Sequence, residues 1–215
     1  DAAAYGLADS AQTWTANFAD IDNDGDLDVI QTDYDVPANL LENDGTGHMT
    51  NITAGSGFSL NIIPIESVME DFDNDGFVDI LVTGSSYQFF HNNGDKTFTL
   101  LPGIFGNENM ESFAIGDLNH DGLIDVYASY AYIYTSPSTV DDVYWMNTTG
   151  NGNHFVTLNL IGTSSNMGAL GARAKIYGDW GVQLREVHAG ESYGTCNTAN
   201  LHFGTETATV IDSIV

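Results

Sequence analysis

A nine-residue acidic segment constrains this chain more than any other feature. Residues 20–28 read DIDNDGDLD, which places five carboxylates around a glycine at the sixth position. So many like charges in a short segment repel one another unless a hard cation lies among them. Calcium takes oxygen ligands from alternate positions of such a loop, and the glycine permits the sharp bend. The segment therefore predicts a calcium-binding loop.

The same pattern occurs twice more, at residues 71–79 (DFDNDGFVD) and 117–125 (DLNHDGLID). We call the three segments the first, second and third loops. We expect ligands at positions one, three, five and nine, and in the first loop also the carbonyl at position seven. The candidate ligands are Asp20, Asp22, Asp24, Asp26 and Asp28; Asp71, Asp73, Asp75 and Asp79; and Asp117, Asn119, Asp121 and Asp125. Calcium is thus the expected cofactor, about three ions with one in each loop.

The EF-hand is the obvious competing interpretation of these loops. It requires a bidentate glutamate at position twelve and a helix on each side. Position twelve holds Gln31, Val82 and Ala128, so the EF-hand pattern fails. A short apolar run bounded by Gly, Ser or Asp follows each loop instead, which is typical of a β-strand. The sequence therefore predicts loops between strands.

A second segment shared by the repeats follows each loop. It contains an asparagine and, two or three residues later, a glycine, at residues 43–45, 92–94 and 147–150. The Asp-Gly and Asn-Gly pairs in the first two segments favour hairpin turns. Strands are also expected before each loop, at residues 14–18, 67–69 and 112–115. Each repeat of about 50 residues thus predicts four strands with a tight turn before the last one, which is the size of a propeller blade.

Charge excludes several functions and divides the chain. The net charge of −26 argues against nucleic acid or an anionic membrane as a partner, and no apolar run is long enough for membrane insertion. Residues 1–150 hold 25 acidic residues and one base, Lys96, whereas residues 151–215 hold five acidic residues and three bases. We therefore expect two domains, a repeat region (residues 1–150) and a C-terminal module (residues 151–215).

The loops, their period and the asparagine-glycine turns resemble FG-GAP or VCBS repeats over roughly residues 9 to 150. The resemblance implies a β-propeller type of blade, a secreted or cell-surface location, and calcium ligands at the positions given above. It also implies that the carbonyls of Phe77 and Leu123 serve at position seven of the second and third loops.

The C-terminal module is expected to be a small β-rich, sandwich-like unit. Residues 153–160 alternate like a half-buried strand, and further strands are expected at 172–177, 182–187 and 210–215. The segments GTSSN at 162–166, QLREV at 183–187 and LHFG at 201–204 resemble the ASPIC and UnbV domain, which follows FG-GAP-type repeats in secreted proteins similar to cartilage acidic protein. Members usually continue with a Trp-Pro-containing strand, so the module is expected to be truncated at Val215.

These observations together predict an all-β extracellular calcium-binding protein with a structural or adhesive role. Three repeats are fewer than the four to eight blades of a closed propeller. Open β edges therefore favour a homo-oligomer or filament, or coverage by a neighbouring module. An extracellular protein or a polysaccharide is the expected partner.

Two other functions stay open. A polysaccharide-binding module would use the tyrosines that alternate on one strand face, Tyr130, Tyr132 and Tyr134. A hydrolase would use Ser192 in the G-x-S-x-G segment at 190–194, but that motif needs a strand-turn-helix and an acid before the histidine, and here His202 precedes Asp212. We therefore expect no enzyme. The six histidines show no metal-ligand spacing and are expected in turns and at the surface.

Overall fold

The computed structural model describes residues 1–34, 36–132 and 136–215. Apart from one 3₁₀ turn at Ala2–Tyr5, all regular elements of these residues are β-strands, and each pairing between them is antiparallel. Among these residues no helix is both long and apolar enough to cross a membrane. The all-β prediction is confirmed.

The first two repeats fold into matching four-stranded sheets. In each sheet the strands lie in chain order, and the acidic loop joins the first strand to the second. The first sheet contains β1 (Thr13–Ala19), β2 (Asp28–Asp33), β3 (Asn39–Asn43) and β4 (Met49–Asn51), and the second sheet contains β5 (Pro64–Glu70), β6 (Asp79–Gly84), β7 (Tyr87–Asn92) and β8 (Phe98–Leu100).

The turns between the last two strands are longer than the sequence suggested. In the first sheet the turn spans residues 44–48 and is closed by a hydrogen bond from the Asp44 N–H to the His48 carbonyl. The reason is Asn43, whose Oδ1 accepts hydrogen bonds from the N–H groups of Gly45 and Gly47 and so shapes a wider turn. The hairpins are as expected, but their turns are wider than the tight turn that the sequence predicts.

The third sheet departs from the predicted repeat. It contains β9 (Met110–Gly116), β10 (Asp125–Tyr132), β11 (Ser136–Pro137) and β12 (Val143–Trp145), and β10 pairs with the other three. Residues 146–153, all of them described, form no strand after the turn at Asn147. The chain instead passes directly into the C-terminal module. The expected last strand of the third repeat is therefore wrong.

The second sheet is buried on both faces, because it lies between the other two. All six residues of β6 are buried. Ile80 and Val82 pack with Ile30 of the first sheet, whereas Leu81 packs with Phe113 and neighbouring residues of the third sheet. Burying each such side chain stabilises the fold by about 1.5–3 kcal/mol. The alternation along one strand thus joins three consecutive repeats.

The C-terminal module has its own small core around Ile176, Leu201 and Phe203. Its strands are β13 (His154–Leu158), β14 (Arg173–Gly178), β15 (Gly181–Glu186), β16 (Leu201–Glu206) and β17 (Ser213–Ile214). β13 pairs with β16, and β14 pairs with β15 and β17. The last strand is shorter than expected, and β16 lies outside the strands that the sequence predicts. The domain boundary at residue 150 stays a prediction.

Candidate metal centres

The three loops share one backbone conformation. The residue at position four, Asn23, Asn74 or His120, has a φ near +60°, and the glycine at position six has a φ between 85° and 93°. This path turns successive N–H groups toward the aspartate at position one. In the first loop Asp20 Oδ1 accepts from the Asp24 N–H (3.1 Å) and Oδ2 from the Gly25 N–H (3.1 Å). Asp117 makes the same pair of bonds in the third loop.

The aspartate at position nine closes each loop and is buried in all three repeats. One of its oxygens accepts from the N–H at position two of the loop, and the other accepts from the N–H of the asparagine that ends β3 or β7, or that follows β12. The partners are Ile21 (3.0 Å) and Asn43 (2.8 Å) for Asp28, Phe72 (3.3 Å) and Asn92 (2.9 Å) for Asp79, and Leu118 (3.0 Å) and Asn147 (2.8 Å) for Asp125.

The structure brings some of the predicted ligands together and not others. Oxygens of Asp20, Asp22 and Asp28 lie within 4.8 Å of one another in the first loop, and ligand atoms of Asp73, Asp75 and His91 do so at the second loop. In the third loop Asn119 Nδ2 donates to Asp121 Oδ2 (2.8 Å), so this amide turns a donor toward the neighbouring ligand. Position five shapes the turn in each loop, because Asp24, Asp75 and Asp121 accept from the N–H two residues later.

His91 is a site residue that the sequence did not reveal. Its Nδ1 lies 3.1 Å from Asp79 Oδ1 and 3.9 Å from Asp73 Oδ2. The hydrogen bond to Asp79 raises the pKa of His91 to about 9, so the imidazole is protonated at neutral pH. Its position corresponds to Glu42 in the first repeat, since both precede the shared asparagine. The expected turn or surface role is wrong for this histidine.

The loops hold carboxylates that have lost much of their water. Burial raises the pKa of Asp20 to about 6 and that of Asp28 to about 7, and it raises the pKa of Asp71 well above its usual range. Oδ1 of Asp71 is buried and has no hydrogen-bond partner among the described residues. A desolvated carboxylate oxygen of this kind is stabilised by a cation or a proton. The residues of the first two loops therefore fit a bound cation.

Two bases already approach these carboxylates. Lys96, in the turn between β7 and β8, places its Nζ 2.7 Å from Asp22 Oδ2 and also contacts Glu42. Arg185 of β15 is buried, and its charge counteracts the raised pKa of both Asp20 and Asp71. The protein thus neutralises part of the loop charge itself, from a neighbouring sheet and from the C-terminal module.

Hydrogen bonds connect each loop to the next one. At position four, Asn23 Nδ2 donates to the Gly76 carbonyl (3.2 Å), and Asn74 Nδ2 donates to the Gly122 carbonyl (2.9 Å). The shared asparagines add a second set, in which Asn92 Nδ2 donates to the Ile21 carbonyl (2.8 Å) and Asn147 Nδ2 to the Phe72 carbonyl (2.7 Å). The three loops therefore form one hydrogen-bonded series.

The C-terminal module lies directly on the loops. Lys175 Nζ donates to the Gly25 carbonyl of the first loop (2.6 Å), and the Gly204 N–H donates to Asp71 Oδ2 of the second loop (3.0 Å). His202 Nε2 lies 2.6 Å from Asn74 Oδ1, and since Asn74 Nδ2 already donates to a carbonyl, Nε2 carries the proton. Burial lowers the pKa of His202 to about 4, so this histidine is neutral, and its expected surface role is wrong.

The residues of the two alternative functions are placed as follows. Tyr130 is buried and its hydroxyl accepts from Trp145 Nε1 (2.8 Å), so it packs inside the fold and does not lie on an open sugar-stacking face. Tyr134 and the side chain of Tyr132 lie outside the described residues. Ser192 Oγ accepts from the Ser67 N–H (2.9 Å), and Ser192 forms an isolated bridge with Thr195 rather than a strand-turn-helix.

Comparison with known families agrees with this architecture. The family model for the FG-GAP-like repeat matches residues 20–82 and 71–128, which together span about half of the chain. The family model for ASPIC and UnbV matches residues 162–215. No curated protein matches the chain.

Proposed function

Because the chain belongs to the FG-GAP-like repeat proteins and carries an ASPIC and UnbV domain, we propose that it is an extracellular calcium-binding protein with a structural or adhesive role. FG-GAP repeats typically occur in extracellular or surface proteins. The observation that carries the calcium proposal is the buried, unpaired Oδ1 of Asp71 within a loop in which Asp75 and Asp79 are also desolvated.

In this proposal the carboxylates of each loop hold one calcium ion. Asp20, Asp22 and Asp28 offer only oxygens in the first loop, which is the donor set that calcium prefers over softer metals. Bound calcium supplies positive charge that offsets the repulsion among these side chains. Since the loops are hydrogen-bonded to one another and to the C-terminal module, ordering one loop also fixes its neighbours, and the protein gains a rigid surface.

Calorimetric titration of the chelator-treated protein with calcium tests this function. We expect saturable binding, with one site lost in Asp20→Asn and another in Asp71→Asn. Asp44→Asn is the matched control, because Asp44 is an exposed acid whose bonds are confined to its own turn. Absence of binding at millimolar calcium, or an equal loss in Asp44→Asn, would contradict the proposal.

The proposal contains no catalytic step. A hydrolase would require Ser192 to be released from its hydrogen bond to the Ser67 N–H and to meet a base. A polysaccharide site on the tyrosine strand has lost one of its three side chains to the core.

A further inference from the structure

The third sheet has an open edge at β12, where the other two sheets continue with β4 and β8. Among the described residues, β12 pairs with β10 alone. Trp145 pairs with Val126 just as Phe90 pairs with Ile80, so Trp145 corresponds to Phe90. In the second sheet Phe90 also pairs with Leu100 of the fourth strand. The backbone of residues 145–147 therefore corresponds to a strand that elsewhere has a partner on this side.

A groove of about 600 Å³ lies beside this edge, between the second and third sheets. Its lining includes Phe89, Leu101, Phe105 and Trp145. Leu101 is 36% exposed, so the groove opens to solvent.

The junction between the first and second sheets shows what such a groove normally contains. There, Phe98 of the fourth strand packs in one core cluster with Phe58 and Phe90 and is only 4% exposed. Phe105 follows β8 as Phe58 follows β4, and Phe105 packs against Trp145 with ring centroids 6.0 Å apart. Phe105 and Trp145 thus correspond to Phe58 and Phe90 at the junction between the second and third sheets. The groove lies where a counterpart of Phe98 would pack.

The acidic end of the groove has a counterpart as well. Lys96, two residues before Phe98, crosses to the first loop and places its Nζ 2.7 Å from Asp22. The acid at the same position of the second loop is Asp73, which lines the groove. Its Oδ2 lies 3.9 Å from His91 Nδ1, which is beyond hydrogen-bond distance, so this oxygen can accept a bond from an incoming cation.

We propose that this groove binds an extended segment of another protein, which adds to β12 in the place that β4 and β8 have in the other two sheets. The segment carries a large apolar side chain that fills the space beside Phe105 and Trp145, and a lysine or arginine two residues earlier that faces Asp73. Main-chain hydrogen bonds to the edge give affinity, and the side-chain pockets give specificity. The inference goes beyond the proposed function, because the apolar part of the groove needs no bound ion.

A second copy of this chain is not the occupant that the structure favours. The chain has four bases, and all of them lie in its own strands or hairpin turn: Lys96, Arg173, Lys175 and Arg185. Lys96 contacts Asp22, Arg173 pairs with Glu186, and Lys175 bonds to the first loop. A copy could donate a base and a following apolar residue only by unfolding one of these elements.

Fluorescence polarisation with a labelled peptide tests the proposal on the full chain. The peptide GDKTFTLL reproduces residues 94–101 of this chain and so contains the basic and aromatic residues in the required spacing. We expect saturable binding that weakens about tenfold or more when the phenylalanine of the peptide becomes alanine, because one ring is no longer buried. Replacing the peptide lysine with glutamate also weakens binding.

Two matched variants of the protein locate the site. Leu101→Asp places a carboxylate inside the groove and is expected to weaken binding about tenfold or more. Leu100→Asp alters the preceding residue, which is similarly exposed but does not line the groove, and is expected to leave binding unchanged. Hydrogen exchange should show new protection of amides within residues 144–147 when the peptide is bound.

Three results would overturn the proposal. They are absence of binding at millimolar peptide, equal effects of the two leucine variants, or protection confined to other strands. Sedimentation of the protein without peptide tests whether a second copy of the chain occupies the groove. Self-association that Leu101→Asp abolishes would identify a second copy as the occupant and contradict the assignment to another protein. Loss of calcium binding alone would leave the peptide result standing, so the two proposals fail separately.

Discussion

Asn92 connects two sheets, and its replacement tests whether the repeats form one hydrogen-bonded series. Its side chain is fully buried, donates to the carbonyls of Ile21 (2.8 Å) and Val78 (3.1 Å), and accepts from the Gly94 N–H (3.0 Å). In Asn92→Ala both carbonyls lose a partner that water cannot replace. Each unsatisfied group costs about 1–3 kcal/mol, so we expect a loss of about 3–5 kcal/mol in the free energy of unfolding.

Asn43 is the matched control, because it occupies the same position in the first repeat. Its Nδ2 donates only to the Leu27 carbonyl (3.0 Å), within its own repeat, and the side chain is half-buried. Water can therefore replace part of what Asn43→Ala removes, and we expect a loss of about 1–2 kcal/mol. Asn92→Asp keeps the acceptor but removes the donors and buries a charge, so it should destabilise at least as much as Asn92→Ala.

Urea unfolding followed by tryptophan fluorescence measures these differences. All variants must be compared at one fixed calcium concentration, because an ion that binds the folded state alone changes its apparent stability. Equal losses for Asn92→Ala and Asn43→Ala would refute the reasoning, since the bond between sheets would then contribute nothing beyond the bond within a loop.

Three further predictions concern residues outside the loops that contact them. Gly204→Ala would drive a methyl group into Asp71 and the Asn74 backbone, so it should lower both the melting temperature and the calcium affinity in a thermal shift assay. Gly190→Ala is the control, because its methyl group meets only ordinary contacts and should change neither quantity. Burial lowers the pKa of His202 to about 4. The stability gained from its neutral form is therefore present above about pH 6.5 and is lost as the pH falls toward 4. Over this range, urea unfolding should show that the wild type loses about 3 kcal/mol more than His202→Gln. Lys96→Met removes the base beside Asp22 and should raise the calcium affinity of the first loop several-fold in a titration, whereas Lys96→Arg should leave it unchanged. Equal affinities in both variants would speak against competition between this base and calcium.

The local part of the fold could be predicted from the sequence. Each loop and its flanking strands are encoded within about 50 residues, by aspartates at fixed spacing, a glycine that adopts positive φ, and apolar runs of strand length. The bonds of Asp20 and Asp28 within the first loop follow from that spacing alone. The aspartate at position nine is buried in all three loops, and the aspartate at position one is buried in the first two; their role as calcium ligands stays a prediction.

Contacts between repeats could not be predicted in the same way. Asn23 and Asn74 lie at position four, which is not among the predicted ligand positions, and their bonds to the next loop join residues about fifty positions apart. The hydrogen bond between His202 and Asn74 spans 128 residues, and no local pattern distinguishes a histidine that packs onto a distant loop from one in a turn. Such residues become recognisable only when the sheets are placed side by side.

The predicted last strand of the third repeat was wrong for a different physical reason. Its turn carries the same asparagine, and Asn147 makes the same bonds to Asp125 and to the preceding loop as Asn92 does in the second repeat. The residues after it, however, form β13 with β16 and place Phe155 against Gly122. Turn chemistry specifies that the chain reverses, but it does not specify which strand the following residues join.

Differential scanning calorimetry of the protein in calcium and in excess chelator tests the central claim most directly. If calcium offsets the repulsion among the buried aspartates, chelation should lower the melting temperature by several degrees, and added calcium should restore it, whereas the Asp20→Asn, Asp71→Asn double variant should respond less. An unchanged melting temperature after complete removal of calcium would contradict the account.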